Sequence, residues 1–309
     1  MMQYLDAVSI QGVDVSEKRR QEATDMFNIT TFATLEEAMQ TFCDCAFVCT
    51  APLSHNNIIS ECLEAGMHVF SELNLVCDGY LENMRLAKKA QKTLYISSTL
   101  LYREDIRFLI SQIQQYASPL SYTYHVGQYL PDWHPWEKYS DYFVSEKRTG
   151  GCRELFTVEL PWLLRAFGDI ANISVTRYKM SSLELQYPDT YYVLIEHKSG
   201  TVGQMMVDVV TRVPVRHFEV FGETLQLEWR GKPEEVWTAR PDYSAMQRVD
   251  IFGTPLRQAD YHDFIVEDAY YEEIREFFCT IEGKFRPSYT FEDDLRTLQI
   301  VDQILGAGY

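Results

Sequence analysis

A regular alternation of short apolar runs and helix-like segments in the first third of the chain constrains its fold more than any other feature. Strands are predicted over residues 5–13, 45–51, 67–71 and 94–98. Helices are predicted over residues 16–27, 55–65 and 78–91. Residues 45–51 are almost all apolar, as expected for a parallel strand buried on both faces, and Ser54 and Gly66 can begin and end the helix that follows. The alternation predicts a parallel sheet with right-handed crossovers.

After about residue 118 the pattern changes, because alternating runs are joined by short connections that contain glycine. Strands are predicted over residues 121–130, 190–197, 201–210, 215–221 and 224–230, and helices over residues 152–167, 267–282 and 291–305. We therefore predict an α/β chain of two domains. Residues 1–118 form an α/β part with a parallel sheet, and residues 119–309 form an α+β part with a mainly antiparallel sheet. The C-terminal helix is a candidate for packing back on the first domain.

Charge and hydropathy exclude several classes of function. The 309 residues include 28 basic and 45 acidic ones, a net charge of −17, with no basic stripe, so we expect no binding to nucleic acid. No apolar run approaches the roughly 20 residues needed to span a bilayer, so we expect no membrane partner. The seven cysteines are scattered and form no CxxC pair, which favours reduced thiols in a cytoplasmic protein.

Three short motifs between Cys45 and Leu75 resemble the Gfo/Idh/MocA family of glucose-fructose oxidoreductase and inositol dehydrogenase. Residues 50–55 read TAPLSH, residues 65–69 read AGMHV, and residues 72–74 read ELN where the family has Glu-Lys-Pro. The resemblance implies an NAD(P)-dependent oxidoreductase that transfers a hydride to or from a sugar or sugar-derived substrate. It also implies that residues 1–118 are an incomplete Rossmann-type dinucleotide-binding domain. It implies further that residues 119–309 are a substrate and oligomerisation domain whose sheet forms a homo-oligomer.

The chain departs from the family in three ways. No G-x-G-x-x-G motif is present, so a βα unit of roughly 30 residues would have to precede the first predicted strand. A truncated gene and a natural loss of cofactor binding both explain this, and in either case a gap would separate the family's second and fourth strands. Leu73 replaces the family's catalytic lysine, and Val158 replaces its histidine. The alternative function is therefore a catalytically degenerate homologue that binds sugar or serves as a scaffold; a lyase- or hydrolase-like NAD-dependent activity is a third possibility.

Strand ends and the family parallel together indicate where a cofactor would bind. The predicted cofactor-binding residues are Asp14, Thr50, Pro52, His55 and Glu72. Asp14 follows the first strand and can accept hydrogen bonds from ribose hydroxyls, so NAD is preferred to NADP, with binding impaired by the absent glycine loop. Asp14 could instead only cap the helix at 16–27, and His55 could be a solvated first-turn residue. We expect Asp14, Thr50 and Glu72 to converge on one crevice.

Because Leu73 cannot carry a proton, another group must do so if the reaction occurs. The catalytic candidates are Glu72, His134, Glu154 and Glu159. The substrate-binding candidates are Arg103, Trp133, His134, Trp136 and Arg153. Each candidate has a structural alternative. The Trp-rich loop can serve only for packing or as an oligomer contact, and the glutamates can only complement the helix dipole in a first turn. An arginine can form only a surface ion pair. The spacing of Asp132, His134 and Glu137 matches no standard metal site, so no metal is predicted.

Overall fold

The structure is a computed structural model that describes residues 9–134, 136–239, 241–242, 245–251 and 267–306. Its first third is an α/β arrangement of short parallel strands. The strands are β1 (Gln11–Val13), β2 (Thr30–Phe32), β3 (Cys45–Val48), β4 (His68–Ser71) and β5 (Leu94–Ile96). The helices are α1 (Glu17–Phe27), α2 (Leu35–Ala38), α3 (His55–Glu64) and α4 (Tyr80–Ala90). Residues 5–8 of the first predicted strand lie outside the described residues.

These strands form two parallel sheets instead of one. β1 pairs with β2, while β3, β4 and β5 form a separate sheet in that order. Among the described residues, β1 and β3 do not pair with each other. This is the position of the gap predicted between the family's second and fourth strands. Gln11 of β1 is linked instead to the chain just before β3, because its side-chain oxygen accepts a hydrogen bond from Thr41 at 2.9 Å.

Local signals explain why the helices begin and end where they do. The Ser16 side chain accepts a hydrogen bond from the backbone N–H of Arg19, so it caps α1. α3 buries Ile59, Cys62 and Leu63 on one face. The N-cap predicted at Asp78 lies one residue later, at Gly79, which adopts a left-handed backbone (φ 69°), so the helix begins at Tyr80.

Helix α5 (Glu104–Gln114) leads into a large sheet. Its strands are β6 (Ser121–Gly127), β7 (Ile170–Tyr178), β8 (Thr190–His197), β9 (Val202–Asp208), β10 (Val215–Phe221), β11 (Gln226–Trp229), β12 (Val236–Ala239) and β13 (Gln247–Arg248). The order is β13-β12-β11-β10-β6-β9-β8-β7, and every neighbouring pair is antiparallel except β6 and β9. The predicted α/β and α+β fold class is therefore confirmed. The strand predicted over 121–130 is shorter, since residues 130–132 form a 3-10 turn.

Helix α6 (Gly151–Phe167) covers the inner face of this sheet, whose strands bury alternate residues. Trp162 of α6 is fully buried and meets the rings of Tyr124 and Phe218 edge-on, with centroids 5.5 and 4.9 Å away. The remaining helices, α7 (Glu267–Ile281) and α8 (Phe291–Leu305), contact the first third of the chain. None of the helices in the described part of the chain has the length and hydropathy needed to cross a membrane.

Candidate active site

The carboxyl ends of β3 and β4 lie side by side, because these parallel strands are paired through Val48 and Ser71 at their last residues. The pairing extends one step further, since the N–H of Glu72 donates to the carbonyl oxygen of Val48 at 2.9 Å. The segments after the two strands, residues 49–50 and 72–74, are therefore neighbours. This edge of a parallel sheet is where ligands bind in open α/β folds.

His55 joins these two segments. It is 2% exposed; its Nε2 lies 2.7 Å from the carbonyl oxygen of Thr50, and its Nδ1 hydrogen-bonds the side-chain oxygen of Asn74. The solvated first-turn interpretation of His55 therefore does not hold. Pro52 is buried in the 3-10 turn before α3, and the hydroxyl of Thr50 lies 2.8 Å from that of Ser54. The structure thus brings Thr50, Pro52 and His55 together, as the sequence predicts.

Glu72 lies at this edge with an exposed side chain. Partial burial of its carboxyl raises its pKa, and the neighbouring His55 ring opposes that shift. The thiol of Cys49 is nearby: its burial, and then the charge of Glu72, raise its pKa to about 11. Cys49 is therefore protonated at neutral pH and is not an activated nucleophile.

Glu154 lies in the first turn of α6, close enough to Glu72 for the two charges to interact. Its Oε2 is buried and has no hydrogen-bond partner among the described residues. Burial, and then the charge of Glu72, raise its pKa to about 7. An unpaired buried carboxyl oxygen costs free energy, so such groups are found where a ligand or a proton transfer requires them.

The aromatic loop before α6 holds the other predicted substrate-binding residues, Trp133, His134 and Trp136. The ring of His134 is stacked between Trp136 and Tyr142, with centroids 5.0 and 4.6 Å away, and its Nδ1 bonds Glu137 Oε1 at 2.8 Å. Trp136 is 75% exposed. Trp133 lies further in, and its indole N–H donates to the carbonyl oxygen of Gln128 at 3.4 Å. No group of three or more His, Cys, Asp or Glu suited to a metal ion occurs in the described part of the chain.

Three predicted site residues, Arg103, Arg153 and Glu159, are engaged in hydrogen-bond and ion-pair networks within the protein. Glu159 is fully buried, and its oxygens bond Tyr124, Trp162 and Arg216.

Arg103 pairs with Asp105 and with the carbonyl oxygen of Gly231, while Arg153 bonds the carbonyl oxygen of Leu75 and forms an ion pair with Asp302 at 2.7 Å. Both arginines are buried, so neither is the surface ion pair that the sequence left open. Arg153 also lines a cavity of about 400 Å³ between α6 and α8, so its predicted role in substrate binding stays a prediction, as does that of Arg103.

Asp14 stands apart from the other predicted cofactor residues, because it follows β1 in the smaller sheet. Its Oδ1 accepts the backbone N–H of Ser16 at 2.7 Å, and its Oδ2 is 3.9 Å from Arg19. The side chain is about one-third exposed, so its second oxygen remains accessible. Gly12 lies within β1, where a Cβ would touch Thr31 at 3.4 Å, so this glycine packs against β2 and does not form a phosphate loop.

Sequence reasoning missed Tyr142 and Asn74. Tyr142 closes the same aromatic loop that suggested Trp133, His134 and Trp136, and its hydroxyl is buried without a partner among the described residues. Asn74 was considered only as a replacement for the family's proline. A signal for Tyr142 existed in the density of rings over residues 129–143, but spacing alone could not show which ring faces Glu154.

Comparison with known proteins bears on the family and the fold. A profile of an oxidoreductase family with an NAD-binding Rossmann fold, Gfo/Idh/MocA, matches residues 5–98. Comparison with curated proteins gave no match.

Several solved structures share the fold. A probable dehydrogenase from Thermotoga maritima is 17% identical, with a TM-score of 0.77 over 98% of this chain and 92% of that chain. Levoglucosan dehydrogenase in complex with NADH is 14% identical, with a TM-score of 0.78 over 97% and 87%. UDP-N-acetylglucosamine 3-dehydrogenase from Acidithiobacillus ferrooxidans is 14% identical, with a TM-score of 0.74 over 96% and 88%.

At these identities the structures show the fold of nearly the whole chain. The resemblance read from the motifs at residues 50–74 is confirmed for the N-terminal region, since residues 5–98 match the Gfo/Idh/MocA family model of an NAD-binding Rossmann fold.

Proposed function

We propose that this protein is an NAD-preferring oxidoreductase that acts on a sugar or a sugar-derived alcohol by hydride transfer. The observation that carries the proposal is a buried carboxyl oxygen of Glu154 that has no partner among the described residues. Glu154 lies in the first turn of α6, and the charge of Glu72, which directly follows β4, adds to the effect of burial on its pKa. A carboxyl whose pKa is about 7 can both take up and release a proton at neutral pH.

In this mechanism Glu154 takes the place of the absent lysine. NAD, when bound, supplies the ring that accepts the hydride from the substrate carbon. Glu154 removes the hydroxyl proton as the carbonyl forms, and returns it when the reaction runs in reverse. Glu72 raises the pKa of Glu154 by its charge, while His55 holds the segments after β3 and β4 together. The resulting proton acceptor is better matched to neutral pH than a carboxyl of ordinary pKa.

The described residues fit part of a dinucleotide. Thr50, Pro52, His55 and Glu72 line the edge where the nicotinamide ribose would lie, and Asp14 offers one carboxylate oxygen to the adenosine ribose. This acid supports NAD over NADP, since a 2′-phosphate would be repelled. The sequence contains no G-x-G-x-x-G loop to cradle a pyrophosphate, so we expect weak binding.

Fluorescence titration with NADH, followed by assays with a panel of neutral sugars and NAD, tests the proposal. We expect weak but saturable NADH binding and measurable sugar oxidation that Glu154→Gln lowers by about 100-fold or more, as for loss of a general base. Glu72→Gln should move the acid limb of the pH profile to lower pH, because it removes a charge that raises the pKa of Glu154. An oxidation rate that survives Glu154→Gln would contradict the assignment.

A sugar-binding or scaffold protein without catalysis is the second candidate. Leu73 at the lysine position and the split between the β1–β2 and β3–β5 sheets favour it. Sugar binding without NADH binding, and without NAD reduction by any sugar in the panel, would support this alternative over the enzyme.

We further propose that the protein works in the cytoplasm as a homo-oligomer. All seven cysteines are free, which supports a reducing compartment. The outer face of the large sheet exposes apolar side chains on neighbouring strands, among them Tyr178, Tyr192 and Leu194, and such patches often mark interfaces. Light scattering after gel filtration should show more than one chain per particle, and Leu194→Arg should reduce the mass to that of a monomer.

A further inference from the structure

A cavity of about 400 Å³ lies between the start of α6, the end of α8 and the segment that follows β4. Arg153 of α6 and Asp302 of α8 line it, together with residues 76–78. Its volume is in the range of sites that hold small molecules. Glu72 and Glu154 are not among its lining residues, so the cavity is distinct from the carboxyl groups of the candidate active site.

Tyr191 of β8 offers a hydrogen-bond donor to this cavity. The residue is 1% exposed, and its ring packs edge-on against Phe156, with centroids 5.7 Å apart. It lines the cavity, but its hydroxyl has no hydrogen-bond partner among the described residues, and its oxygen is not closed off from solvent. Because burial raises the pKa of this phenol, the hydroxyl stays protonated and can donate. A polar group that is held in place without a partner indicates a ligand that completes it.

Arg153 offers a second donor to the same cavity. The residue is 6% exposed; its Nε bonds the carbonyl oxygen of Leu75, and its Nη2 pairs with Asp302 at 2.7 Å. Its Nη1 has no partner among the described residues and, like the Tyr191 oxygen, is not closed off from solvent. Since Leu75 and Asp302 fix the plane of the guanidinium, Nη1 is a donor of fixed direction.

The charges around the cavity favour an anion. Its lining includes three basic residues, Lys147, Arg148 and Arg153, and two acidic ones, Asp78 and Asp302. Arg148 pairs with Asp78 at 2.7 Å, whereas Lys147 has no ion-pair partner among the described residues. One basic residue is therefore in excess here, although acidic residues outnumber basic ones by 45 to 28 in the whole chain. This excess balances one negative charge and not two.

The rest of the lining is largely apolar. Val76, Pro188 and Leu305 contribute to it, and so does Tyr187. The Tyr187 hydroxyl is already engaged, because it accepts the backbone N–H of Gly151 at 3.0 Å and donates to a backbone carbonyl. An occupant that matches the cavity therefore has one anionic end and an apolar body.

We propose that this cavity binds a small organic monocarboxylate, whose two oxygens accept hydrogen bonds from Tyr191 and Arg153. A carboxylate fits these donors because it can accept from both at once and pairs well with a guanidinium. The site does not depend on the proposed oxidoreductase function, since binding involves no transfer of hydride or proton. It is nevertheless connected to the candidate active site, because Arg153 holds the carbonyl of Leu75, and the adjacent Asn74 bonds His55. The carboxylate is therefore an effector that steadies the segment after β4.

Calorimetric titration with benzoate, with its neutral amide benzamide and with inorganic phosphate tests the site. We expect benzoate to bind with a Kd on the order of 1 mM, the affinity expected for so small a ligand, and at least about fivefold more tightly than the other two probes. Tyr191→Phe, which removes only the hydroxyl, should weaken benzoate binding about five- to tenfold. Tyr192→Phe is the matched control, since Tyr192 is the next residue of β8 and lies on the opposite, exposed face; it should leave binding unchanged.

A second pair of variants examines the charge. Lys147→Gln should weaken benzoate binding about two- to fivefold at low salt and less at high salt, because the excess positive charge is removed. Lys138→Gln is the control, an exposed lysine of the same loop that does not line the cavity.

Hydrogen exchange locates the bound probe without reference to activity. Benzoate should slow the exchange of backbone amides in residues 72–78 and 147–153 of the parent protein, and should do so much less in Tyr191→Phe. Equal binding of benzoate and benzamide, tighter binding of phosphate, or unaltered binding by Tyr191→Phe would overturn the proposal. So would a lack of saturable benzoate binding, or protection confined to other parts of the chain.

Discussion

At the scale of single residues, two glutamates on α6 show how burial separates structure from function. Glu159 is fully buried, yet its oxygens bond Tyr124 at 2.6 Å, Trp162 at 3.0 Å and Arg216 at 2.7 Å. Glu154, five positions earlier, has a buried oxygen with no partner among the described residues. Satisfied buried charges hold a fold together, while unsatisfied ones reduce its stability unless a ligand completes them.

Replacing each glutamate by glutamine should therefore have opposite effects. At about pH 8, Glu154→Gln should raise the free energy of unfolding by about 1–3 kcal/mol, because a buried carboxylate is no longer ionised there. Glu159→Gln should lower it by about 1–3 kcal/mol, because Arg216 loses a buried carboxylate partner. Urea denaturation of both variants and the parent at that pH measures the difference. Destabilisation of equal size in the two variants would mean that Glu154 is satisfied after all.

Sequence reasoning succeeded for residues whose role follows from a strand end and failed for residues whose partners are remote. Thr50, His55 and Glu72 lie at or just after the ends of parallel strands, and strand order together with the family parallel predicted them as one group. The partner of Arg153 is Asp302, on the last helix, so no local pattern could show that the arginine was already engaged. A basic residue therefore stays only a candidate for substrate binding until the structure shows which carboxylate it pairs with.

At the scale of elements, α7 covers the sheet of β3, β4 and β5 with hydrophobic side chains. Phe277 is fully buried among Phe47, Phe70 and Tyr95, with ring centroids 5.3, 5.6 and 5.6 Å away. Glu273 of the same helix accepts the backbone N–H of Ser98, just after β5, at 2.6 Å. A sheet of three strands of three or four residues has little core of its own, so much of its stability comes from this contact.

Phe277→Ala should thus cost about 3–5 kcal/mol of unfolding free energy, the usual range for a fully buried phenylalanine. Phe278→Ala, one position along the helix and only partly buried, should cost clearly less and serves as the control. Urea denaturation reports both, and hydrogen exchange of the β3–β5 amides should accelerate most in Phe277→Ala. Equal losses in the two variants would mean that α7 does not stabilise the sheet through this cluster.

Elements with strong apolar patterns were predictable, and weak ones were not. The helix at α8 and the strands at β8 and β10 match their predicted bounds, since their buried positions recur at helical or alternating spacing. β2 has three residues, α2 has four, and β7 is largely exposed, so none has a pattern long or apolar enough to detect. The separation of β1 from β3 was inferred only because the family's strand order was available.

At the scale of the whole molecule, acidic side chains lie in the interior of the protein as well as on its surface. The net charge is −17, and burial raises the pKa of three carboxyls, Glu154, Glu273 and Asp294, to about 7. Other acids behave in the opposite way. Burial would raise the pKa of Asp208, but hydrogen bonds from His125, Thr211 and backbone amides lower it on balance. The acids with raised pKa values should limit stability at high pH, and those with lowered pKa values should limit it at low pH.

The direction of the pH effect follows from these shifts. An acid whose pKa is higher in the folded than in the unfolded chain binds more protons when folded, so its contribution is retained at low pH and lost as pH rises. The three buried acids lose this contribution to stability between about pH 4 and about pH 7, the interval between their ordinary and folded pKa values. Asp208 has a lowered pKa, so it loses its contribution only on acidification below its ordinary value of 3.8. Lower pH also reduces the self-repulsion of the negative surface.

Maximum stability should therefore lie on the acidic side of neutrality, with the unfolding temperature at about pH 5.5 several degrees above that at about pH 8. Thermal unfolding followed by circular dichroism across this range measures it. Glu273→Gln should flatten the alkaline decline, because the amide can still accept from Ser98 but does not ionise. A surface substitution such as Glu64→Gln should leave the slope nearly unchanged, since that side chain is exposed. An unfolding temperature that rises steadily from pH 5.5 to pH 8 would show that the buried carboxyls are ionised at little cost in stability. That result would also remove the basis for proton exchange by Glu154 at neutral pH.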